Sequence, residues 1–176
     1  MYTDKALELI ASGTDCTTAS PFFSTAFDLA AGIGVGGTVD GIISPDVGSG
    51  NQVVAIINVE TYTAGSNTTV TFDVVSSLDT SFSDLGMLIG SSGPILAADM
   101  ELIDNAGRVG YAPIVVRLNP DHFSAIDVAG ANARYLGIRI TYATADPTAL
   151  TVRASLADTF QGRPEVSHHK SGIVIA

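Results

Sequence analysis

Asp99 and Glu101 are the side chains in this sequence best placed for paired acid–base chemistry. They are two residues apart in an apolar run that we predict to be a strand, and this spacing puts both carboxyl groups on one face. Many glycosidases use two carboxyl groups in this way. The chain has no Trp and only five Tyr, which leaves little aromatic surface for stacking against sugar rings. The pattern therefore does not predict a hydrolase.

Nucleophilic catalysis is equally weakly indicated. Asp121, His122 and Asp127 could form part of a triad, but they lie in a loop that follows Asn119-Pro120, where Asp is a common turn former. Cys16 has no histidine near it in sequence and lies among threonines, which is typical of an inert cysteine. We therefore predict no catalytic residues and no enzymatic activity.

The glycine-rich segment Gly32-Ile-Gly-Val-Gly-Gly37 matches the G-x-G-x-x-G dinucleotide fingerprint on paper. That motif requires a helix to open at its third glycine. Here Thr38-Val-Asp-Gly41 follows, with no helical period. We interpret the segment as a flexible connection and predict no nucleotide cofactor.

Metal binding and glycosylation have little support in the sequence. The chain has three histidines, of which His122 lies in a loop and His168 and His169 lie near the C-terminus beside Glu165. Transition-metal sites need several histidine or cysteine ligands close together, and none of the predicted strands carries a histidine. Asn67-Thr-Thr69 matches a glycosylation sequon, but the charges among the first eight residues do not predict a secretory signal. We predict no metal site and no other cofactor.

Composition excludes several further classes of protein. The 176 residues are 46% hydrophobic and 15% charged, with a net charge of -10, which argues against a nucleic-acid-binding surface. A single cysteine cannot form a disulfide scaffold, and no uncharged run is long and apolar enough to predict a membrane span. No Lys or Arg occurs between Lys5 and Arg108, so residues 1–107 carry thirteen acids and one base. The acidic charge is therefore concentrated in the first part of the chain.

Three regions follow from the pattern of turns and strands. We predict an N-terminal helix and arm at 1–37, with the helix running from Asp4 to Ser12, and a strand-rich domain at 38–160. An extended C-terminal tail is predicted at 161–176. The arm carries Phe22, Phe23 and Phe27 and must pack on something, because exposed aromatic side chains are costly. It either binds a partner or folds back onto its own domain.

The strand-rich region predicts an all-β antiparallel sandwich. Eight segments read as strands and are separated by turn residues: 38–43, 52–63, 68–77, 85–89, 95–103, 113–118, 134–144 and 149–157. The later ones alternate cleanly between apolar and polar positions. Eight short strands with little helix favour a jelly roll, in which two four-stranded sheets pack face to face.

The jelly-roll strand order also predicts ion pairs across the outer faces of the sheets. Assigning the eight segments to that order in sequence places Asp73 between Arg153 and Arg117. It also places Glu60 beside Arg139. Exposed pairs of this kind each contribute under about 1 kcal/mol, so we expect them to act on strand register more than on stability.

The sequence resembles a family of tailed-bacteriophage capsid cement, or decoration, proteins, of the jelly-roll type found on the head of a Bordetella phage. The resemblance rests on Met1-Tyr-Thr-Asp-Lys-Ala-Leu-Glu-Leu-Ile-Ala-Ser12 and the Ser20-Pro-Phe22 segment. It continues through Val53-Val-Ala-Ile-Ile57, Val115-Val-Arg-Leu-Asn-Pro120 and Tyr135-Leu-Gly-Ile-Arg-Ile-Thr-Tyr142. It implies a jelly-roll protein made in the host cytoplasm and bound to the outer surface of the head, often as a homodimer, where it joins neighbouring major capsid subunits.

Under that resemblance the two ends of the chain are candidate anchors. Phe22, Phe23 and Phe27 of the arm, with Ile173, Val174 and Ile175 of the tail, would bind the partner, either of them by adding a strand to a neighbouring sheet. The alternative is a carbohydrate- or receptor-binding jelly-roll module of a phage particle. Such a module would expose aromatic side chains in its loops, for which the sequence offers mainly Phe82, Tyr111 and Phe123.

Overall fold

The computed structural model describes residues 8–28, 53–83, 87–103, 113–118 and 135–158. Within these ranges the chain forms strands and one short helix. In chain order the elements are β1 (Glu8–Asp15), β2 (Phe22–Phe23), β3 (Phe27–Asp28), β4 (Val53–Thr63), β5 (Thr69–Ser77), β6 (Met87–Leu96), α1 (Ala97–Ile103), β7 (Ile114–Arg117), β8 (Tyr135–Ala143) and β9 (Ala149–Asp158).

The strands form two antiparallel sheets. The first sheet has the order β1-β9-β4-β7, and the second has the order β2-β8-β5-β6. The short strand β3 pairs with β8, as β2 does, at a position nearer the start of β8. The prediction of an all-β fold built from antiparallel sheets is confirmed.

The core lies between the sheets and is built by period-two alternation of apolar residues. The inward-facing side chains of the central strands are almost fully buried: Ala55, Ile57 and Val59 on β4, Val70, Phe72 and Val74 on β5, Leu136, Ile138 and Ile140 on β8, and Leu150, Val152 and Ala154 on β9. Burying a large apolar side chain stabilises a protein by about 1.5–3 kcal/mol. Because both sheets contribute to one cluster, these side chains hold the two layers together.

The predicted N-terminal helix at Asp4–Ser12 is wrong over the part that the structure describes. Residues 8–12 belong to β1, which pairs with β9 through two register shifts. The first shift, between Glu8 and Ile10, coincides with two consecutive buried side chains, Leu9 and Ile10. Pairing with β9 and burial of these side chains override the local helix preference of the segment. Residues 1–7 lie outside the described residues.

The predicted strand at 95–103 is also wrong in most of its length. Ile95 and Leu96 end β6, and α1 begins directly after them. Ala, Met, Glu and Leu favour a helix here, and Asp99 lies in its first turn, where the helix dipole favours a carboxylate. The helix buries Met100 completely in the core.

The turn predicted at 91–94 is instead part of β6, which runs through it with irregular register against β5. Gly93 takes a φ of +70°, a conformation that glycine adopts without strain. Pro94 is tolerated because β6 is the edge strand of its sheet. The strand predicted at 85–89 is therefore the beginning of a longer one.

The predicted ion pairs across the sheets are wrong. Arg139 pairs with Asp73, with Nη2 and Oδ2 2.8 Å apart, and Arg153 pairs with Glu8, with Nε and Oε1 3.2 Å apart. The Glu60 carboxylate accepts a hydrogen bond from the backbone N–H of Gly13 instead. The reason is that β1 to β3, from the predicted helix and arm, supply strands of both sheets and displace the assumed strand order.

Several predictions fall on residues that the structure does not describe. They are the strand at 38–43, the domain boundaries at 37/38 and 160/161, and the tail at 161–176.

Candidate functional site

The three aromatic residues predicted to bind a partner lie on the second sheet of their own domain. Phe22 is opposite Ile140 and is 9% exposed, and Phe27 is opposite Leu136 and packs against the core. Phe23 is on the outer face, opposite Arg139. The arm is folded back onto its own domain in the structure, and partner binding by these side chains stays a prediction. Ile173, Val174 and Ile175 lie outside the described residues.

The segment between β1 and β3 is attached to the second sheet by specific hydrogen bonds. The Ser24 N–H donates to the Ile138 carbonyl at 2.9 Å, and the Ile138 N–H donates to Ser24 Oγ at 2.9 Å. The serine hydroxyl thus takes the place of a backbone carbonyl between β2 and β3. The Tyr142 hydroxyl donates to the Cys16 carbonyl at 2.5 Å. These bonds position Phe22 and Phe23 on the sheet.

A loop at 77–83 is organised by a single carboxylate. Asp79 Oδ2 accepts hydrogen bonds from the hydroxyls of Ser81 at 2.6 Å and Ser83 at 2.5 Å, and Oδ1 accepts one from the Ser81 N–H at 3.0 Å. The hydrogen bonds from Ser81, followed by those from Ser83, hold the pKa of Asp79 far below its usual range. The carboxylate therefore stays ionised and closes the loop over a wide range of pH.

The loop inserts Phe82 into the outer face of the second sheet. Phe82 is 1% exposed and stacks on Phe23, with ring centroids 5.5 Å apart and an interplanar angle of 5°. A Cβ placed on Gly137 would be 2.4 Å from the tip of its ring, so the ring lies directly against the glycine. Phe82 has a φ of 52°, which is unusual for a bulky residue and indicates strain. The packing of the ring offsets that strain.

Cys16 is completely buried in the core. Burial raises the pKa of its thiol to about 12, and Sγ donates to the Thr14 carbonyl at 3.5 Å. The nucleophilic form of a cysteine is the thiolate. The environment of Cys16 therefore suppresses its reactivity, in agreement with the inert role predicted for it.

The proposed carboxylate pair does not form. Asp99 and Glu101 are exposed and lie on α1, and residues two apart on a helix point to different sides. The interpretation that placed both on one face of a strand is wrong, because the segment is helical. The other chemical motifs of the sequence, at 32–37, 121–127 and 165–169, lie outside the described residues.

Asn67 of the sequon is a structural residue. It is 5% exposed, and its Oδ1 accepts a hydrogen bond from the Tyr62 hydroxyl at 2.8 Å. Its Nδ2 donates to the carbonyls of Thr69 at 3.0 Å and Ala145 at 2.8 Å. Both polar atoms of the amide are thus occupied within the protein. The side chain joins the β4–β5 and β8–β9 connections and is not presented for glycosylation.

Among the residues that the structure describes, no group of three or more His, Cys, Asp or Glu side chains could hold a metal ion. Of the aromatic residues that a glycan-binding loop would expose, Phe82 is buried, and Tyr111 and Phe123 are outside the described residues. No helix in the described part of the chain is long and apolar enough to cross a membrane.

Most of the exposed apolar side chains could not be identified from the sequence. Among the residues that the structure describes, five large ones are 41–58% exposed: Leu78, Met87, Leu88, Leu96 and Val115. Leu88 is the Cα partner of Val75, and Met87 is the partner of Ser76, so these two residues lie at the same end of β6 and point to opposite faces of the second sheet. Alternation along β7 places Val115 on the face opposite Val116, in agreement with its exposure. It does not identify the other four, which lie at the end of β5 or at the two ends of β6.

Acidic residues outnumber basic ones among the described side chains. They include nine acidic residues and three arginines, and two of these arginines, Arg139 and Arg153, pair with carboxylates. Such an excess of acidic residues favours basic partners and disfavours acidic ones.

Comparison with known proteins gave no family: no protein-family model matches the chain, and no curated protein matches it.

Proposed function

We propose that this chain is a structural virion protein that binds the outer surface of a phage head and stabilises contacts between major capsid subunits. The sequence resemblance described above motivates the proposal. The observation that supports it most directly is the strand order of the two antiparallel sheets, β1-β9-β4-β7 and β2-β8-β5-β6, because the fold that the resemblance implies would have this order.

The fold that the resemblance implies is a jelly roll, and we propose this topology for the chain. A jelly roll of strands labelled B to I has the sheet orders B-I-D-G and C-H-E-F. If β1 is B, β2 and β3 together are C, and β4 to β9 are D to I, the two observed sheets have these orders. This agreement supports the proposal. The strands labelled G, H and I are the ones assigned from the sequence, whereas those labelled B to F are different.

The chemistry of the described residues is consistent with a structural role. Three of the described side chains that could act as base or ligand take part in bonds that hold the fold: Asp73 with Arg139, Asp79 with two serines, and Asn67 with Tyr62. Within this proposal the protein acts by binding and needs no cofactor. Homodimerisation and a position on the outer surface of the virion are further parts of the proposal.

The alternative function is a carbohydrate- or receptor-binding module. That function needs aromatic side chains at the surface for stacking against a sugar. Phe82, one of the three residues available for it, is 1% exposed and already stacked on Phe23. This observation removes Phe82 from the aromatic side chains that a glycan site could use.

The proposal is tested by adding the purified protein to heads that lack it. We expect saturable co-sedimentation, with heads that lose less DNA on heating once they carry the protein. Because the described surface is acidic, binding should weaken as salt is added if the shell presents a basic patch. Failure to bind heads at any salt concentration rejects the proposal, and a glycan-binding screen then tests the alternative.

A further inference from the structure

Residues 8–28, which we call the N-terminal segment, form an edge of both sheets. β1 is the outermost strand beside β9 in the first sheet, and β2 and β3 pair with β8 in the second. The two edges are on the same side of the molecule. The Cys16 N–H donates to the Leu150 carbonyl of β9, and the Cys16 carbonyl accepts from the Tyr142 hydroxyl of β8. One continuous stretch of chain thus closes one side of the sandwich.

The contacts of the N-terminal segment amount to a complete binding site on β8 and β9. Leu9 and Ile10 are 2% and 3% exposed, and Phe22 is 9% exposed, so the segment completes the core. Strand pairing and the hydrogen bonds between Ser24 and Ile138 fix its register. Without the segment, these edges would expose apolar side chains and unpaired backbone groups. The edges of β8 and β9 therefore need a segment with this sequence to cover them.

The N-terminal segment and the strands that it covers are complementary in charge. The segment carries three acidic residues, Glu8, Asp15 and Asp28, and no basic one. Arg153 of β9 pairs with Glu8, with Nε and Oε1 3.2 Å apart. The chain as a whole has a net charge of -10, so two copies repel each other at long range. The segment of a second copy nevertheless presents the acidic and apolar side chains that fit these edges.

The N-terminal segment is joined to the rest of the sandwich by a long stretch of sequence. Residues 29–52 separate β3 from β4, and seven of these 24 residues are glycines. A chain of this length spans up to about 80 Å when it is fully extended, which is about twice the diameter of a domain of this size. The connection is therefore long enough for the segment to reach β8 and β9 of an adjacent copy.

We propose that the N-terminal segment exchanges between two copies of this chain, so that residues 8–28 of each copy pair with β8 and β9 of the other. Each contact of the exchanged segment is one that the structure already contains, made between two chains instead of within one. Exchange of an identical element is a low-cost route to a dimer. This inference rests on the homodimerisation that forms part of the proposed function, and it supplies the contacts of that dimer. It does not depend on binding to heads.

The balance between the monomer and the exchanged dimer depends on protein concentration. Because the contacts are the same in both, the monomer is favoured only by the effective concentration at which the connection holds its own segment, on the order of 1 mM. With a dissociation constant of about this size, about half of the chains are exchanged at about 1 mM protein and about 2% at about 10 µM. Copies crowded on the surface of a head would reach the higher concentration.

A disulfide between β1 and β9 distinguishes the two arrangements. Asp15 and Thr151 are Cα partners on these strands, and the Cα separation of such partners is within the range that a disulfide spans. In a Cys16→Ala background, the variant with Asp15→Cys and Thr151→Cys is refolded at about 10 µM and at about 1 mM and is then oxidised. We expect the covalent dimer, measured by non-reducing electrophoresis, to rise from about 2% to about half of the protein.

The matched control is Thr63→Cys with Ala149→Cys in the same background. Thr63 and Ala149 are Cα partners on β4 and β9, and both lie outside the N-terminal segment. Their disulfide therefore forms within one chain in either arrangement. Sedimentation velocity before oxidation measures the fraction of dimer independently of the disulfide. Far-ultraviolet circular dichroism verifies that both variants are folded.

The outcomes separate the inference from the function on which it rests. A covalent dimer that forms with cysteines at 15 and 151, and not with the control pair, supports exchange. Disulfides only within chains at about 1 mM overturn it, and a dimer seen by sedimentation then forms through another surface. Covalent dimers with both pairs show that residues 8–28 are not the exchanged element. Binding of the unchanged protein to heads is measured separately, so a protein that binds heads without exchange keeps the proposed function.

Discussion

Gly137→Ala is the substitution whose effect follows most directly from the packing of Phe82. A Cβ at position 137 would be 2.4 Å from Cζ of Phe82 and 2.9 Å from its Cε2. Non-bonded carbon atoms do not approach one another this closely, so the ring has to move. It can move only by giving up its stacked contact with Phe23, at a centroid distance of 5.5 Å, or by distorting the 77–83 loop.

The magnitude follows from the general cost of overpacking. Adding a methyl group to a well-packed site costs about 1–3 kcal/mol, and we expect Gly137→Ala to lower the free energy of unfolding by about 2 kcal/mol. Phe82→Ala should lower it by about 3 kcal/mol, the lower part of the range for buried phenylalanine. The loss is at the lower end because, without the ring to pack, the loop can relax from the strained backbone conformation at residue 82. In the absence of the ring, alanine at 137 should be favourable by about 0.5–1 kcal/mol, since glycine within a strand loses more backbone entropy on folding.

A double-mutant cycle measured by equilibrium urea unfolding tests this reasoning. We expect the double variant, Phe82→Ala with Gly137→Ala, to be about 2–3 kcal/mol more stable than the sum of the single effects requires. Denaturation followed by circular dichroism gives the free energies, provided that the slopes with urea are unchanged. Additive effects would refute the contact between the ring and the glycine. A neutral Gly137→Ala would show that the ring moves aside without cost.

Three further substitutions or reactions probe buried groups. Ser76 Oγ is buried without a hydrogen-bond partner among the residues that the structure describes, so Ser76→Ala should raise the free energy of unfolding by about 1 kcal/mol; a loss on urea unfolding would contradict this. Asn67→Ala should lower the same quantity by about 3 kcal/mol, because it leaves the buried Tyr62 hydroxyl and backbone carbonyls unpaired; a loss below 1 kcal/mol on urea unfolding would show that these groups find other partners. Burial raises the pKa of Cys16 from 9.0 to about 12, so at pH 8 native Cys16 should react with iodoacetamide about a thousandfold more slowly than in the unfolded chain. Since the folded state keeps this proton longer, stability should fall as the pH rises from 9.0 towards about 12; rapid native alkylation would show that the thiol is accessible.

The central strands could be predicted from local pattern because their packing repeats every two residues. β4, β5, β7, β8 and β9 each lie within one residue of the range expected from alternation and turn residues. In these strands one face meets the core, so the apolar positions had to alternate. The turn at 64–68 could also be predicted, because Gly65 adopts the φ of +57° that the turn requires and that glycine accepts without strain.

The local sequence pattern predicted the wrong secondary structure where contacts with residues distant in sequence determine it. Residues 8–12 have the composition of a helix, yet they form β1, because β9 offers a paired edge and the core accepts Leu9 and Ile10. Residues 97–103 read as a strand, yet they form α1, which places Met100 in the core. Both decisions depend on contacts far apart in sequence, which no window of a few residues contains.

The burial of Phe82 and the exposure of Leu88 could not be predicted from the sequence for the same reason. Phe82 was available as a loop aromatic only under the alternative function, and the loop closed by the Asp79 carboxylate places its ring against Gly137 instead. Leu88 has the residue type of a core position and is exposed because β6 is the edge of its sheet. Which apolar side chain is covered depends on what packs over the outer face, and that is a property of the assembled sheets.

The sequence by itself therefore determined the fold class, an acidic surface and the positions of the central strands, because composition and a two-residue period are local quantities. Only the tertiary structure decided the strand order, the partners of Asp73 and Arg153, and the division between buried Phe82 and exposed Leu88. These depend on which strands become neighbours. That choice is made by the free energy of packing the whole core, in which the N-terminal segment takes part in both sheets.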